Sequence, residues 1–218
     1  MNDTTTDSGS TTAASARSTL RARVERAVRA LDDPPRGDEL GNGDLDPSLS
    51  RRTPLRPAAV LVPIVERPDG PTVLLTRRTD HLRDHPGQVS FPGGRVDDTD
   101  RGPVDAALRE TAEEIGLGRE HIELVGLLDG YETVTGYRVT PVVGFVRPGF
   151  VLTLDAFEVA ETFEVPLAFF LDETSCLIKS GMRNGVRRRY YAFEYEHRHI
   201  WGATAGMLVN LRRRVARL

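Results

Sequence analysis

Cysteine is nearly missing from this chain: Cys176 is the only one, so no intramolecular disulfide framework can brace the fold. No His–Asp context marks that thiol as a nucleophile, and it reads as a small buried hydrophobe in a reducing compartment. Long apolar runs are absent too. Nothing approaches the ~20 residues a membrane helix needs, and no signal-peptide pattern opens the chain, so a cytoplasmic protein without a membrane partner is expected. A basic excess is also lacking. The 29 Lys and Arg face 32 Asp and Glu for a net charge of −3, which offers nucleic acid no global field. No internal repeat is visible. What remains is ordinary for one domain: 218 residues, 39% hydrophobic and 28% charged, enough for a sizeable core.

Residues 1–18 are mostly Thr, Ser, Ala and Asp, have almost nothing to bury, and predict a disordered tail. Residues 19–57 supply a helix and a connection. Leu20, Val24, Val28 and Leu31 recur at helical spacing, with the arginines between them on a solvated face; "PPRGDELGNGDLDPSLSRRTP" follows as a Pro/Gly/Asp-rich linker. The main domain is expected over 58–218. "AAVLVPIVE" and "TVLLTRR" flank the turn "RPDGP" as a hairpin, and "QVSFPGG" is a short strand ending in a glycine turn. A helix runs roughly from Val104 to Ile115, closed by Gly116. Beyond it, "IELVGLLDGYETV" and "YRVTPVVGFV" predict two strands, "VPLAFFLD" a short helix, "RRRYYAFEYEHRHIW" a strand, and "GATAGMLVNLRRRVARL" an amphipathic C-terminal helix. Mixed strands with an inserted helix indicate an α/β (α+β) sandwich rather than a regular βαβ array. The "RRR" runs at 187–189 and 212–214 read as solvated surface. "HRH" at 197–199 lacks the cysteines of a common zinc site.

The densest chemical signal is "RETAEEIGL", residues 109–117. Positions i, i+3 and i+4 share a helix face, so Glu110, Glu113 and Glu114 form one patch. Leu108, Thr111, Ala112 and Ile115 are expected on the opposite, sheet-facing side, while Ala106 and Ala107 are too small to block access to the carboxylates. Three like charges repel and give the helix nothing locally. They read either as a solvated acidic face or as ligands for an oxygen-seeking cation such as Mg²⁺, which takes a few carboxylates plus substrate phosphates. Arg109 can pair with Glu113 or orient Glu110. Just upstream, "FPGGRVDDTD" places a glycine turn and further acids before the helix, a shape suited to close phosphate approach.

Here the sequence resembles the Nudix hydrolases. Their signature is a glycine, five residues, a glutamate, seven residues, then Arg-Glu-apolar-x-Glu-Glu-x-Gly-apolar. This chain has Gly94, Asp100, Arg109, Glu110, Thr111, Glu113, Glu114, Gly116 and Leu117. It departs in having Asp100 for the first glutamate, eight residues rather than seven before Arg109, and Thr111 at an apolar position. The stretch "LLTRRTDHLRDHPGQVSFPGG", residues 74–94, is similar to the segment preceding the box in the coenzyme A pyrophosphatase subgroup. "VTGYRVTPVVGF", "EVAETFEVPLAFFLD" and "IWGATAGML" extend that likeness over roughly Ala58 to Leu208.

The resemblance implies a Nudix-type α/β/α sandwich with a mixed sheet and a carboxylate-bearing helix. It implies Mg²⁺- or Mn²⁺-dependent hydrolysis of the diphosphate bridge of coenzyme A or its derivatives, giving 3′,5′-ADP and 4′-phosphopantetheine. Metal ligation falls to Glu110, Glu113 and Glu114. Catalytic candidates are Glu110, Glu113 and Arg109, with Glu158 or Glu161 as proton acceptors whose alternative is exposed loop charge. Arg77, Arg78, Arg83, His85, Gln88, Gly93 and Gly94 are candidates for binding the small-molecule substrate, because Arg grips phosphate bidentately. A homodimer is compatible with the likeness. Two other functions stay open: a Nudix pyrophosphatase of ADP-ribose or NADH, and a non-catalytic nucleotide-binding module.

Overall fold

Two ten-residue segments rich in Val, Leu, Ile and Phe lie side by side as parallel strands through the middle of a mixed sheet. Parallel strands are covered on both faces, which is why both read as nearly continuous apolar runs. The computed structural model describes residues 19–33, 45, 54–183 and 185–218; the expected tail at 1–18 and most of the 34–53 linker lie outside them. A helix at residues 19–27 (α1) leads to β1 (Arg56–Val65), β2 (Thr72–Arg78), β3 (Val89–Ser90), β4 (Gly93–Arg95) and α2 (Pro103–Ile115). There follow β5 (Ile122–Leu127), β6 (Tyr131–Glu132), β7 (Tyr137–Val146), β8 (Val159–Pro166), α3 (Leu167–Leu171), β9 (Cys176–Arg183), β10 (Val186–Tyr195), β11 (Arg198–Trp201) and α4 (Ala203–Ala216).

The larger sheet runs β3-β2-β1-β7-β5, with β8 paired to β2, β4 to β1 and β6 to β7; β11-β10-β9 form a second, three-stranded sheet. Strand alternation divides the interior. Ala59, Leu61, Val65, Val142 and Val146 face α2, meeting Ala106, Ala107 and Ile115. Val62, Ile64, Val143 and Phe145 face the other way, into a core shared with α1, α3, α4 and the smaller sheet through Val24, Phe170, Phe193 and Leu208. The result is the expected α/β/α sandwich. No helix among the described residues is long and apolar enough to cross a membrane.

Several local expectations are corrected. Ala106 and Ala107 are fully buried, and the exposed alanine is Ala112: the small buried alanines let α2 approach the sheet closely. β8 and β9 were not anticipated; β8 carries Glu161 and Glu164 on a strand, where Arg77 and Arg67 respectively pair with them. "QVSFPGG" becomes two short strands, and "RRRYYAFEYEHRHIW" becomes two strands around Glu196. Helix α4 is buried nearly all round from Thr204 to Leu211, because it lies between layers.

On α1 Arg23 and Arg26 are exposed as expected, but Arg21 and the arginines of α4 are partly buried. Arg21 bonds Glu25, Glu66 and Glu123 and covers the Phe145 ring at 4.3 Å. Arg213 donates to Tyr191 Oη at 2.7 Å. Arg214 meets both Asp129 oxygens at 3.1 Å and the Ala27 carbonyl at 2.5 Å, while Asn210 also donates to Asp129 at 2.9 Å. Asp129 thus ties the β5–β6 turn to α4, and Arg214 ties α4 to α1. Replacing Asp129 by Ala should cost about 2–3 kcal/mol, since a partly buried guanidinium then loses its counter-charge. Urea unfolding should show a lower midpoint at an unchanged slope.

Candidate active site

Helix α2 is set up by local chemistry. Pro103 occupies its first turn, where a missing N–H costs nothing, and Gly116 ends it in the left-handed region at φ 67°. On the face toward β4, Glu114 is only 6% exposed and accepts a hydrogen bond from the Gly93 amide at 3.1 Å. Gly93 has φ 149°, and a Cβ there would collide with the Ala59 carbonyl; glycine is required for this approach. A Cβ on Gly94 would run into the Glu110 carboxylate. The glycine turn therefore serves the two carboxylates directly.

Arg109 organises the remaining acids. Its Nε and Nη2 grip the two Asp100 oxygens at 3.0 Å each, Nη1 reaches Glu110 at 3.1 Å and Glu113 at 2.9 Å, and Nη2 also donates to the Arg95 carbonyl at 3.2 Å. Asp100 accepts the Asp97 amide as well, and these hydrogen bonds hold its pKa below the usual range. Both its oxygens are committed to positioning Arg109, which accounts for an acid at this place despite the altered spacing. Both pairings expected for Arg109 are made together. Glu113 is 59% exposed and turned to Arg109, farther from the interior than its two neighbours.

The third carboxylate facing the interior pair comes from another segment. β2 and β8 pair with a register shift in which Arg77 opposes Glu161 and Arg78 opposes Val159, leaving Ala160 as an extra residue. Such a bulge re-aims the flanking side chains. Arg78 points to Glu114 at 4.0 Å and to Glu158 at 3.8 Å. Arg77 is met by Glu161 and Asp80, both at 3.2 Å, and Glu161 also binds Arg198. The geometry thus separates the two proton-acceptor candidates: Glu158 stands with Glu110 and Glu114, while Glu161 is held by two arginines. Arg83 and His85 are exposed, with His85 at φ 57°, and Gln88 is half-buried.

Burial pushes Glu114 up to about 7, against the Gly93 hydrogen bond and the Arg78 charge, with Glu110 and Glu158 adding repulsion. Burial also raises Glu110, opposed by Arg109. Among the described residues no three acidic, His or Cys groups converge as a ready-made ligand cage. Mg²⁺ needs none, since it keeps several waters and uses one or two carboxylates plus phosphate oxygens. A desolvated carboxylate with one amide donor and a distant guanidinium fits that role. Glu110 and Glu114 are the residues that could hold such a cation, with Glu158 adjoining.

Two outcomes follow for stability and rate. Glu114 has a folded pKa above its unfolded value of 4.5, so the unfolded chain ionises it first and stability falls as pH rises from about 4.5 to 7. In EDTA this group should remove about 3 kcal/mol across that window; the Glu114→Gln variant should lack this part of the slope, and Mg²⁺ should restore the wild-type loss above pH 7. Thermal melts of the two proteins at matched pH measure the difference. Gly94→Ala should fold normally, because the group displaced is the end of a flexible Glu110 side chain. Its kcat should drop about 10²-fold from the misplaced carboxylate, as read by steady-state kinetics beside a melting curve.

Comparison with known proteins gives the family. Residues 55–168 match the NUDIX domain family. The chain is 45% identical over 168 residues to NudL of Escherichia coli K12, described as an uncharacterized Nudix hydrolase, covering 77% of this chain and 87% of that protein; the figures for NudL of Escherichia fergusonii are the same. Among solved structures, a MutT/nudix family protein from Enterococcus faecalis aligns with a TM-score of 0.46 at 18% identity, over 78% of this chain and 65% of that one. The MutT protein of Methanosarcina mazei Go1 aligns at 0.44 and 24% identity, over 56% and 84%. The chain belongs to the Nudix hydrolase family, enzymes acting on nucleoside diphosphate derivatives, generally with divalent metal ions.

Proposed function

We propose that this enzyme hydrolyses the diphosphate bridge of coenzyme A or its derivatives, releasing 3′,5′-ADP and 4′-phosphopantetheine, in a reducing cytoplasm. The observation that carries this reading is the course of residues 74–94, the stretch similar to coenzyme A pyrophosphatases. Along β2, β3 and β4 it sends Arg78 to Glu114 and Glu158 and the Gly93 amide to Glu114, and it sends His85 and Gln88 to the wall of a cavity of about 510 Å³. One segment thus borders both the carboxylates and a space fit for a long substrate.

Phosphoryl transfer to water needs positioning and charge neutralisation more than a protein nucleophile. Glu110 and Glu114 would hold Mg²⁺ or Mn²⁺, which when bound supplies charge neutralisation at the bridge and a more acidic water. Arg109, locked by Asp100, is a positioning residue that keeps the Glu110 carboxylate aimed. Arg78 is placed to take a phosphate oxygen between Glu114 and Glu158. Glu158, 43% exposed and facing only the Arg78 guanidinium at 3.8 Å among the ion pairs of the described residues, is the proton acceptor for the attacking water. Glu161 keeps a structural role between Arg77 and Arg198.

Incubation of the protein with coenzyme A and Mg²⁺ should yield both products by mass spectrometry, and EDTA should abolish them. Glu158→Gln should lower kcat by about 10²–10⁴-fold with little change in KM. Turnover of ADP-ribose or NADH with coenzyme A left intact would overturn the substrate, and undiminished activity in chelated protein would overturn the mechanism.

A further inference from the structure

Half-buried Arg188 has no acidic partner among the described residues. Arg188 Nε and Nη1 are shielded from solvent and find no hydrogen-bond partner among the described residues. Arginine cannot escape such a site by losing its proton, and an unpaired buried charge is costly. Arg188 lines the 510 Å³ cavity, which contains no aspartate or glutamate in its wall although the chain has 32 acids. Gly202 and Ala203 also border the cavity, where the fourteen-residue α4 begins and its dipole adds partial positive charge. Tyr131, Tyr190 and Trp201 supply aromatic surface, with the Tyr190 and Trp201 rings 5.4 Å apart. Trp201 also borders a neighbouring cleft lined by Arg77, Val89 and Glu161, and Gln88, two residues from Ser90 where β3 pairs with β2, lines the cavity itself.

We propose that this cavity receives the phosphomonoester-bearing nucleoside end of the substrate, with the 3′-phosphate on Arg188 and the base against Trp201 and Tyr190. The assignment rests on the coenzyme A reading for the identity of that end, and on the cavity itself for the chemistry. A base presents a flat π-face to aromatic side chains, and a phosphate dianion supplies a counter-charge that no described residue gives Arg188. The arginines of the upstream loop are less suited: Arg77 already has two carboxylates, and Arg83 is exposed. The anion specificity then comes from β10, in a run of three arginines where Arg188 is the half-buried one and exposed Arg189 also borders the cavity.

Trp201 is the only tryptophan in the chain, so its fluorescence reports occupancy without turnover or metal. Titrated in EDTA, 3′,5′-ADP should change that signal saturably, and 5′-AMP and adenosine should bind at least ten-fold more weakly. Arg188→Gln should weaken 3′,5′-ADP by about ten- to a hundred-fold and leave adenosine unchanged, while Arg188→Lys should recover part of the affinity. Its melting temperature should hold or rise, because an uncompensated charge is removed; a clear fall would assign Arg188 to the fold and overturn the proposal. Equal affinity of wild type and Arg188→Gln for 3′,5′-ADP would overturn it as well. The two readings fail separately. Coenzyme A cleavage with KM unchanged in Arg188→Gln removes this site and keeps the activity; Arg188-dependent binding of 3′,5′-ADP without coenzyme A cleavage keeps the site and removes the activity.

Discussion

The desolvation of Glu114 is the constraint around which the candidate active site is built. A carboxylate 6% exposed in contact with one backbone amide cannot remain ionised near neutrality without help, and the rise of its pKa to about 7 expresses that strain. Every neighbouring feature either deepens or relieves it. Fully buried Ala106 and Ala107 draw α2 down onto the sheet, which removes water from its inner face. Gly93 permits the amide to come within 3.1 Å. Arg78 brings positive charge no closer than 4.0 Å, enough to bias the group but not to neutralise it. A site left short of one positive charge favours a cation, and the same shortage makes the metal-free protein pay in stability.

Arginine does nearly all of the cationic work in the fold, for Lys179 is the only lysine. The planar five-donor fork explains why. Arg109 holds Asp100 with two parallel bonds, touches Glu110 and Glu113 with a third nitrogen and still reaches a backbone carbonyl. An ammonium could not span that set in fixed geometry. Asp100 is thereby converted from a possible ligand into an anchor, and the longer spacing before Arg109 is absorbed in the turn that precedes α2. Glu113 pays for its place in the motif differently: it closes the far side of Arg109 at the surface.

The helix and its carboxylate patch were legible in the sequence because period 3.6, a first-turn proline and a terminal glycine all agree. The central strands were legible because parallel strands covered on both faces read as apolar runs. Which of the three acids turn inward was not, since the i, i+3, i+4 rule places them on one face without saying where the sheet touches it. β8 escaped because Glu161 and Glu164 make it look like a loop, and only their partners Arg77 and Arg67 on other segments explain charge on a strand. Arg188 escaped for a related reason. A run of three arginines suggests solvated surface by composition, yet on the strand the middle residue is half-buried between exposed neighbours.

The proposed cavity draws on two parts of the chain. The matched domain, residues 55–168, contains Gly93, Gly94, Asp100, Arg109, Glu110, Glu114 and Glu158, all the groups assigned to bond cleavage. Arg188, Tyr190 and Trp201 lie beyond it, on the smaller sheet. That sheet is not a detachable appendage: Phe193 and Ile200 share the core with Val62 and Phe145, and Thr204 at the start of α4 donates to the Val89 carbonyl. The cavity wall is therefore rigidly referenced to β3, four residues before Gly93 in the chain. On the proposed reading, a side chain on β10 would act on the outcome at Glu114 without touching it, by fixing where one end of a long substrate lies. On that reading, selectivity would come from a surface outside the matched domain held in register to the carboxylates, the division expected when one fold serves several substrates.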